Sequence, residues 1–278
     1  MAVPSAAAEL PTRELTAESL FEIVRATSHA RPRTDEPPAK FLARQTHLRL
    51  QGKRLSSCAL PAGTCPQLST LYLYDNELDS LEGLGSVPQL THLYLQNNRI
   101  ASVASDIGNL RSLRKLYLSG NCLSSLEPLA SLDGLQELHV SSQRLPPGTT
   151  LDLCQAALAQ MRSLRVLALA KNRLQNVNAL AACRSLMVVD LRDNLLGGLD
   201  AIAGLITSSA PLTELDLREN GVSSSRQTID SIIVACPTVV KLNDRELSQS
   251  ERAFLQQLHL RGKRPQPWAG GPPAHSIA

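Results

Sequence analysis

Aromatic residues are scarce in this chain: four Tyr, three Phe and one Trp, 3% of 278 residues. Charge of one sign is lacking too, since the formal net charge is only +3. That bias is too weak to favour nucleic acid, and no run of Lys and Arg carries interleaved aromatics. No stretch is apolar enough for a transmembrane helix. Met1 to Leu10 lacks the basic and apolar regions of a secretory leader, and no Asn-x-Ser/Thr acceptor occurs. The spacings HExxH, GxxxxGK[ST], GxSxG and CxxC are all missing. The six histidines are scattered, and neither His92 nor His139 has a Cys or Asp at ligand spacing. The expectation is a non-enzymatic chain with no catalytic residue, metal or cofactor, and with no nucleic-acid or membrane partner.

What the chain has in quantity is leucine, in one spacing. Leucine, two residues, leucine, one, leucine, two, asparagine, one, leucine recurs seven times. Leu68, Leu71, Leu73, Asn76 and Leu78 make one copy; Leu90, Leu93, Leu95, Asn98 and Ile100 make the next. Further copies start at Leu113, Leu135, Leu164, Leu186 and Leu212, and Leu48, Leu50 and Leu55 form a degenerate first one. This is the signature of a leucine-rich repeat, in which each copy supplies one strand and a return, and neighbours stack into a continuous core. The predicted fold is an α/β solenoid: a leucine-rich-repeat horseshoe with a parallel concave sheet of about nine strands. Short helices or 3₁₀ turns lie on its convex side, and helical caps cover both ends.

Leu68 to Leu90 is 22 residues, Leu90 to Leu113 is 23, and Leu135 to Leu164, Leu186 to Leu212 and Leu212 to Val239 are 29, 26 and 27. The extra length belongs on the convex side, because stacking fixes each strand and its asparagine turn. Thr150 to Gln160 and Ser225 to Ala235 read as helices there. In each turn an asparagine bonds backbone groups: Asn76, Asn98, Asn121, Asn172, Asn194 and Asn220, with Gln143 substituting in the fifth copy. Cys65, Cys183 and Cys236 occupy a slot that holds Val87, Leu110, Leu132 and Met161 in other copies. They read as small buried hydrophobes, reduced, in a cytoplasmic chain.

The expected organisation is a disordered segment 1–11, a capping helix and linker 12–44, the solenoid 45–240, a C-terminal cap 241–262 and a disordered tail 263–278. Thr16 is the expected N-cap of the first helix, with Leu20, Ile23 and Val24 on one face; Arg31 to Lys40 is Pro-rich and reads as linker. Leu247 to Leu260 reads as an amphipathic helix with Phe254, Leu255 and Leu258 facing inward.

Side chains alternate along a strand, so the residue between the two strand leucines faces the concave surface. That row reads Arg49, Tyr72, Tyr94, Tyr117, His139, Ala168, Asp190, Asp216; the row two residues on reads Gln51, Tyr74, Gln96, Ser119, Ser141, Ala170, Arg192, Arg218. All four tyrosines fall on this face. Cross-strand stacking that stabilises the sheet is one reading; a protein-binding patch is the other. Asp190, Arg192, Asp216 and Arg218 are either a self-paired solvated surface or an electrostatic docking site.

LYLYDN (Leu71 to Asn76), LTHLYLQNN (Leu90 to Asn98), LRKLYLSGN (Leu113 to Asn121) and ELHVSSQRLPPG (Glu137 to Gly148) are similar to segments of a known group. The cap PTVVKLNDREL followed by SERAFL fits as well. Over about residues 15 to 262, and most strongly over 68 to 148, the chain resembles the leucine-rich-repeat regulatory subunits of protein phosphatase 1. The resemblance implies a non-enzymatic subunit that binds the phosphatase catalytic subunit, and the chain itself is expected to be a monomer. It also implies association with tubulin or microtubule proteins at the cytoskeleton, centrosome or basal body. The short docking motif of many phosphatase regulators is absent: neither Phe21, Phe41, Phe254 nor Trp268 has Val or Ile two positions earlier. Binding would then fall to the concave face. A structural adaptor of ciliary or microtubule apparatus that never meets the phosphatase fits the same features, whereas weak basicity speaks against a splicing scaffold.

Overall fold

The computed structural model describes residues 15–27, 31–103 and 105–262; the segments 1–11 and 263–278, read above as disordered, lie outside the described residues. Ten strands form one open sheet in chain order: β1 (His47–Arg49), β2 (Thr70–Tyr72), β3 (His92–Tyr94), β4 (Lys115–Tyr117), β5 (Glu137–His139), β6 (Val166–Ala168), β7 (Val188–Asp190), β8 (Glu214–Asp216), β9 (Lys241–Leu242) and β10 (Arg245–Glu246). Strands β1 to β9 are parallel because each coil returns over the convex side before the next strand begins. The count exceeds the nine expected from the repeats, since the chain turns at Asn243 and Asp244 and lays β10 antiparallel on β9.

The register carries the core. Leu48, Leu71, Leu93, Leu116, Leu138, Leu167, Val189, Leu215 and Leu242 pair in one row, and all are buried. The flanking leucines of each copy stack in parallel rows, giving one continuous apolar cluster from Leu15 to Leu255. Coils of 22 or 23 residues return through 3₁₀ turns such as Leu84–Ser86 and Glu127–Ser131. The three longer coils each contain an α-helix: α3 (Gln155–Gln160), α4 (Ala203–Ile206) and α5 (Arg226–Ala235). Helix α4 had no separate signal in the sequence; it is one turn, held by Leu205 and Ile206 in the core.

The asparagine row does more than close turns. Asn98 Nδ2 donates to Leu95 O of its own coil and to Leu73 O of the preceding one, while its Oδ1 accepts from Leu78 N. The same pattern recurs at Asn121 and Asn220, so each side chain staples two coils. Gln143 reproduces it: Nε2 donates to Leu118 O and Val140 O, and Oε1 accepts from Leu123 N. The residue before each of the seven side chains of the row sits in left-handed backbone: Asp75, Asn97, Gly120, Ser142, Lys171, Asp193 and Glu219. Six of those seven are not glycine, a conformation costing about 1–2 kcal/mol each. The ladder's buried hydrogen bonds offset that strain.

At the N-terminal end, α1 (Ala17–Thr27) starts at Thr16, whose Oγ1 accepts from Ser19 N, and buries Leu20 and Val24, with Ile23 half-buried. The expected linker ends sooner than its composition suggested. Helix α2 (Pro38–Ala43) begins inside it with Pro38 in the first turn, where a missing N–H costs nothing. Phe41 and Leu42 of α2 are fully buried, and Glu36 forms a forked pair with Arg44.

At the C-terminal end, α6 (Gln249–Gly262) packs on α5 along a narrow line. Leu255 is buried, but Phe254 and Leu258 are 64% and 55% exposed, so the inward face expected for them is wrong. The reason is Arg252. Its guanidinium donates to Ile233 O, Cys236 O and Val239 O, and this turns the 252–255 stripe of α6, not 254–258, toward α5.

Candidate protein-binding face

The concave row is set by strand pairing alone. Arg49, Tyr72, Tyr94, Tyr117, His139, Ala168, Asp190 and Asp216 are consecutive partners across eight strands. Adjacent parallel strands lie about 4.8 Å apart, close to the thickness of a stacked ring pair. The aromatic members accordingly stack. Tyr72 lies 4.7 Å from Tyr94, Tyr94 4.6 Å from Tyr117, and Tyr117 4.4 Å from His139, all within 16° of parallel. Tyr74, on the adjoining row, is half-buried and takes no part in that stack.

Glu137 holds the stack at its third and fourth rings. Its Oε1 accepts from Tyr117 Oη at 2.6 Å and lies 2.8 Å from His139 Nε2, and its Oε2 pairs with Lys115 Nζ at 2.7 Å. Partial burial pushes the carboxyl up, but the bonds from Lys115, Tyr117 and His139 outweigh it and bring its pKa down to about 2. Tyr117 is pushed well above the usual phenol range by burial and by its bond to this carboxylate. The result is a ring ladder fixed before any partner arrives, with little side-chain entropy left to lose on contact.

The charged strands form a chain of ion pairs. Arg192 grips Asp190 through two bonds of 2.8 and 2.9 Å and lies 3.5 Å from Asp216. Arg218 forks onto Asp216 and reaches Asp244, which also meets Lys241. Asp190, Arg192, Asp216 and Arg218 are thus brought together, as the sequence placed them, but largely neutralise one another. They line a shallow hollow of about 200 Å³ with Glu214 and Lys241. Exposed pairs of this kind contribute little to stability, about 0–1 kcal/mol each.

A family model described as leucine-rich repeat matches residues 40–185, more than half of the sequence. The chain belongs to the leucine-rich-repeat family. No curated protein matches it. Among solved structures it is similar to an internalin C2 from Listeria monocytogenes, at 22% identity over 74% of this chain and 88% of that one, with a TM-score of 0.54. It is also similar to a chain of a TLR13–ssRNA13 complex, at 23% identity over 64% of this chain and 25% of the other, with a TM-score of 0.52. Both likenesses speak to the fold alone. Membership of the leucine-rich-repeat family suggests a protein-binding role.

Three residues of this leucine-rich-repeat face escaped the reading by rows. His92, Lys115 and Glu137 stand one alternation earlier on their strands than Tyr94, Tyr117 and His139. They share the concave side for the same period-two reason, so counting two positions back as well as two forward would have found them. The asparagines Asn76, Asn98, Asn121, Asn172, Asn194 and Asn220 are buried and engaged in the coil-stapling bonds. Among the described residues no group of three His, Cys, Asp or Glu side chains is arranged to hold a metal, and no helix is long and apolar enough to cross a membrane.

Proposed function

We propose that this chain is a non-enzymatic binding subunit that regulates or targets protein phosphatase 1 at cytoskeletal or centrosomal sites through its concave face. The observation that carries the binding reading is the prestacked ladder of Tyr72, Tyr94, Tyr117 and His139. Rigid amphipathic rings on an open sheet face are the material of interface hot spots. The choice of phosphatase rests on the sequence resemblance, whose segments LYLYDN, LTHLYLQNN, LRKLYLSGN and ELHVSSQRLPPG supply or adjoin the ladder. A comparable member of that group is protein phosphatase 1 regulatory subunit 42. On this reading Tyr72, Tyr74, Tyr94, Tyr117 and His139 are the apolar anchor, and Asp190, Arg192, Asp216 and Arg218 supply short-range polar contacts that set orientation.

The test is co-sedimentation of the full chain with purified phosphatase catalytic subunit and, separately, with microtubules. A stable complex with the phosphatase supports the proposal. Microtubule binding without phosphatase binding replaces it with the adaptor reading.

A further inference from the structure

Most coils stack with 22 or 23 residues, yet the one from Leu135 to Leu164 has 29. The surplus holds α3, and Cys183 Sγ donates to Leu158 O at 3.2 Å, which ties that helix to the next coil. Between α3 and the turns that lead into β6 and β7 lies a hollow of about 570 Å³. That is within the usual range of ligand sites, about 300–1,000 Å³. Gln155 and Ala159 of α3 line it, together with Ala182 and Ser185. Arg162 and Arg184 line it too, and no Asp or Glu does.

The two arginines stand in equivalent places, two residues before Leu164 and Leu186. The other copies put Pro66, Pro88, Arg111, Asp133 and Ala210 there, so only these two coils place cations on neighbouring rungs. Ser185 Oγ donates to Arg162 O at 2.6 Å, so the two turns touch. Both arginines are exposed, and neither has a carboxylate partner among the described residues. On the concave face, by contrast, Lys115, Arg192 and Arg218 are each spent on a carboxylate. A group seated in the hollow lies within about one Debye length, roughly 8–10 Å, of both free charges.

We propose that this hollow binds an acidic segment of a partner protein, whose side-chain carboxylates pair with Arg162 and Arg184. The site lies off the concave face, so the claim is independent of the phosphatase reading. Guanidinium–carboxylate pairs are charge-assisted and can fork, which gives direction as well as attraction. The small side chains of Ala159 and Ala182 leave room for the segment's backbone. A nucleic acid is the poorer occupant. No aromatic side chain lines the hollow to stack a base, and a net charge of +3 gives little pull on a phosphate chain.

The test is a display selection of random linear peptides on the full chain, counter-selected on the double variant Arg162→Glu/Arg184→Glu. The expected result is a family of peptides with fixed Asp or Glu positions. A synthetic member binds about tenfold or more weakly to the double variant, and similarly weakly when its acids are changed to Asn or Gln. Its affinity also falls as salt rises. Arg111→Glu, in the equivalent place outside the hollow, leaves binding unchanged. Because both arginines are exposed, the double variant melts with the parent; should it fail to fold, Arg162→Gln/Arg184→Gln must weaken the same peptides. No enrichment, peptides without fixed acids, equal binding by the variants, equal loss in Arg111→Glu, or stronger Arg162-dependent binding of a single-stranded oligonucleotide would overturn the assignment.

Discussion

Replacing Asn98 by Ala is expected to cost about 3–5 kcal/mol. The side chain is fully buried. Its Oδ1 accepts from Leu78 N at 3.1 Å, and losing it orphans a buried N–H, which costs about 1–3 kcal/mol. Its Nδ2 donates to Leu73 O at 3.0 Å and Leu95 O at 2.9 Å. Those carbonyls keep second partners in Asn76 and Asn121, so each lost bond costs only about 1 kcal/mol. Asn98→Asp separates the two roles. It keeps an acceptor for Leu78 but aims a second acceptor, often charged, at two carbonyl oxygens, and is expected to cost more than Ala. Urea denaturation followed by circular dichroism gives the total. Hydrogen exchange at Leu78 gives the local part, which matters because repeat stability is a sum over neighbouring coils. A loss below about 1 kcal/mol, or unchanged protection at Leu78, would refute the claim that this row staples the coils.

Burial pushes Cys58 and Cys183 up to about 12 and Cys65 to about 11, so in the native chain only half-exposed Cys122 and Cys154 should react quickly with a thiol reagent. Rapid reaction of more than two of the six thiols before denaturation would contradict the packing described. Glu137, held near 2 in the folded chain, binds its proton later than in the unfolded chain as pH falls. Its stabilisation is therefore present above about pH 4.5 and lost toward about pH 2. Glu137→Gln should flatten the stability–pH curve in that window relative to the parent, and an identical curve would refute the assignment. Arg252→Ala should free the C-terminal helix and speed chymotryptic cleavage after exposed Phe254, with Arg252→Lys rescuing little because the three carbonyls are reached from two separate guanidinium nitrogens and an ammonium offers only one. Cleavage at the parent rate would show that the helix is held elsewhere.

The row of Tyr72, Tyr94, Tyr117 and His139 was legible before any coordinates, because two periods combine: strand alternation sets the face and the repeat sets the neighbour. The same logic made Gln143 readable as a substitute for asparagine. Features that depend on contacts outside the repeat were not legible. Phe254 and Leu258 fit an amphipathic pattern, yet the Arg252 guanidinium caps the carbonyl end of another helix and rotates the stripe. The start of α2 was hidden by proline-rich composition, since Pro38 opens a helix as readily as it marks a linker. The self-pairing of Asp190, Arg192, Asp216 and Arg218 was one of two readings, and only bond geometry decided how far the charges are spent on one another.

The most direct test of the central claim is an isothermal titration of the full chain with purified protein phosphatase 1 catalytic subunit. It is run beside a variant in which Tyr72, Tyr94 and Tyr117 are changed to Leu, checked for folding by circular dichroism. The account predicts micromolar or tighter binding by the parent and its loss in the folded variant. Binding that survives in the variant would move the site off the aromatic ladder, and no binding by the parent would contradict the phosphatase reading outright.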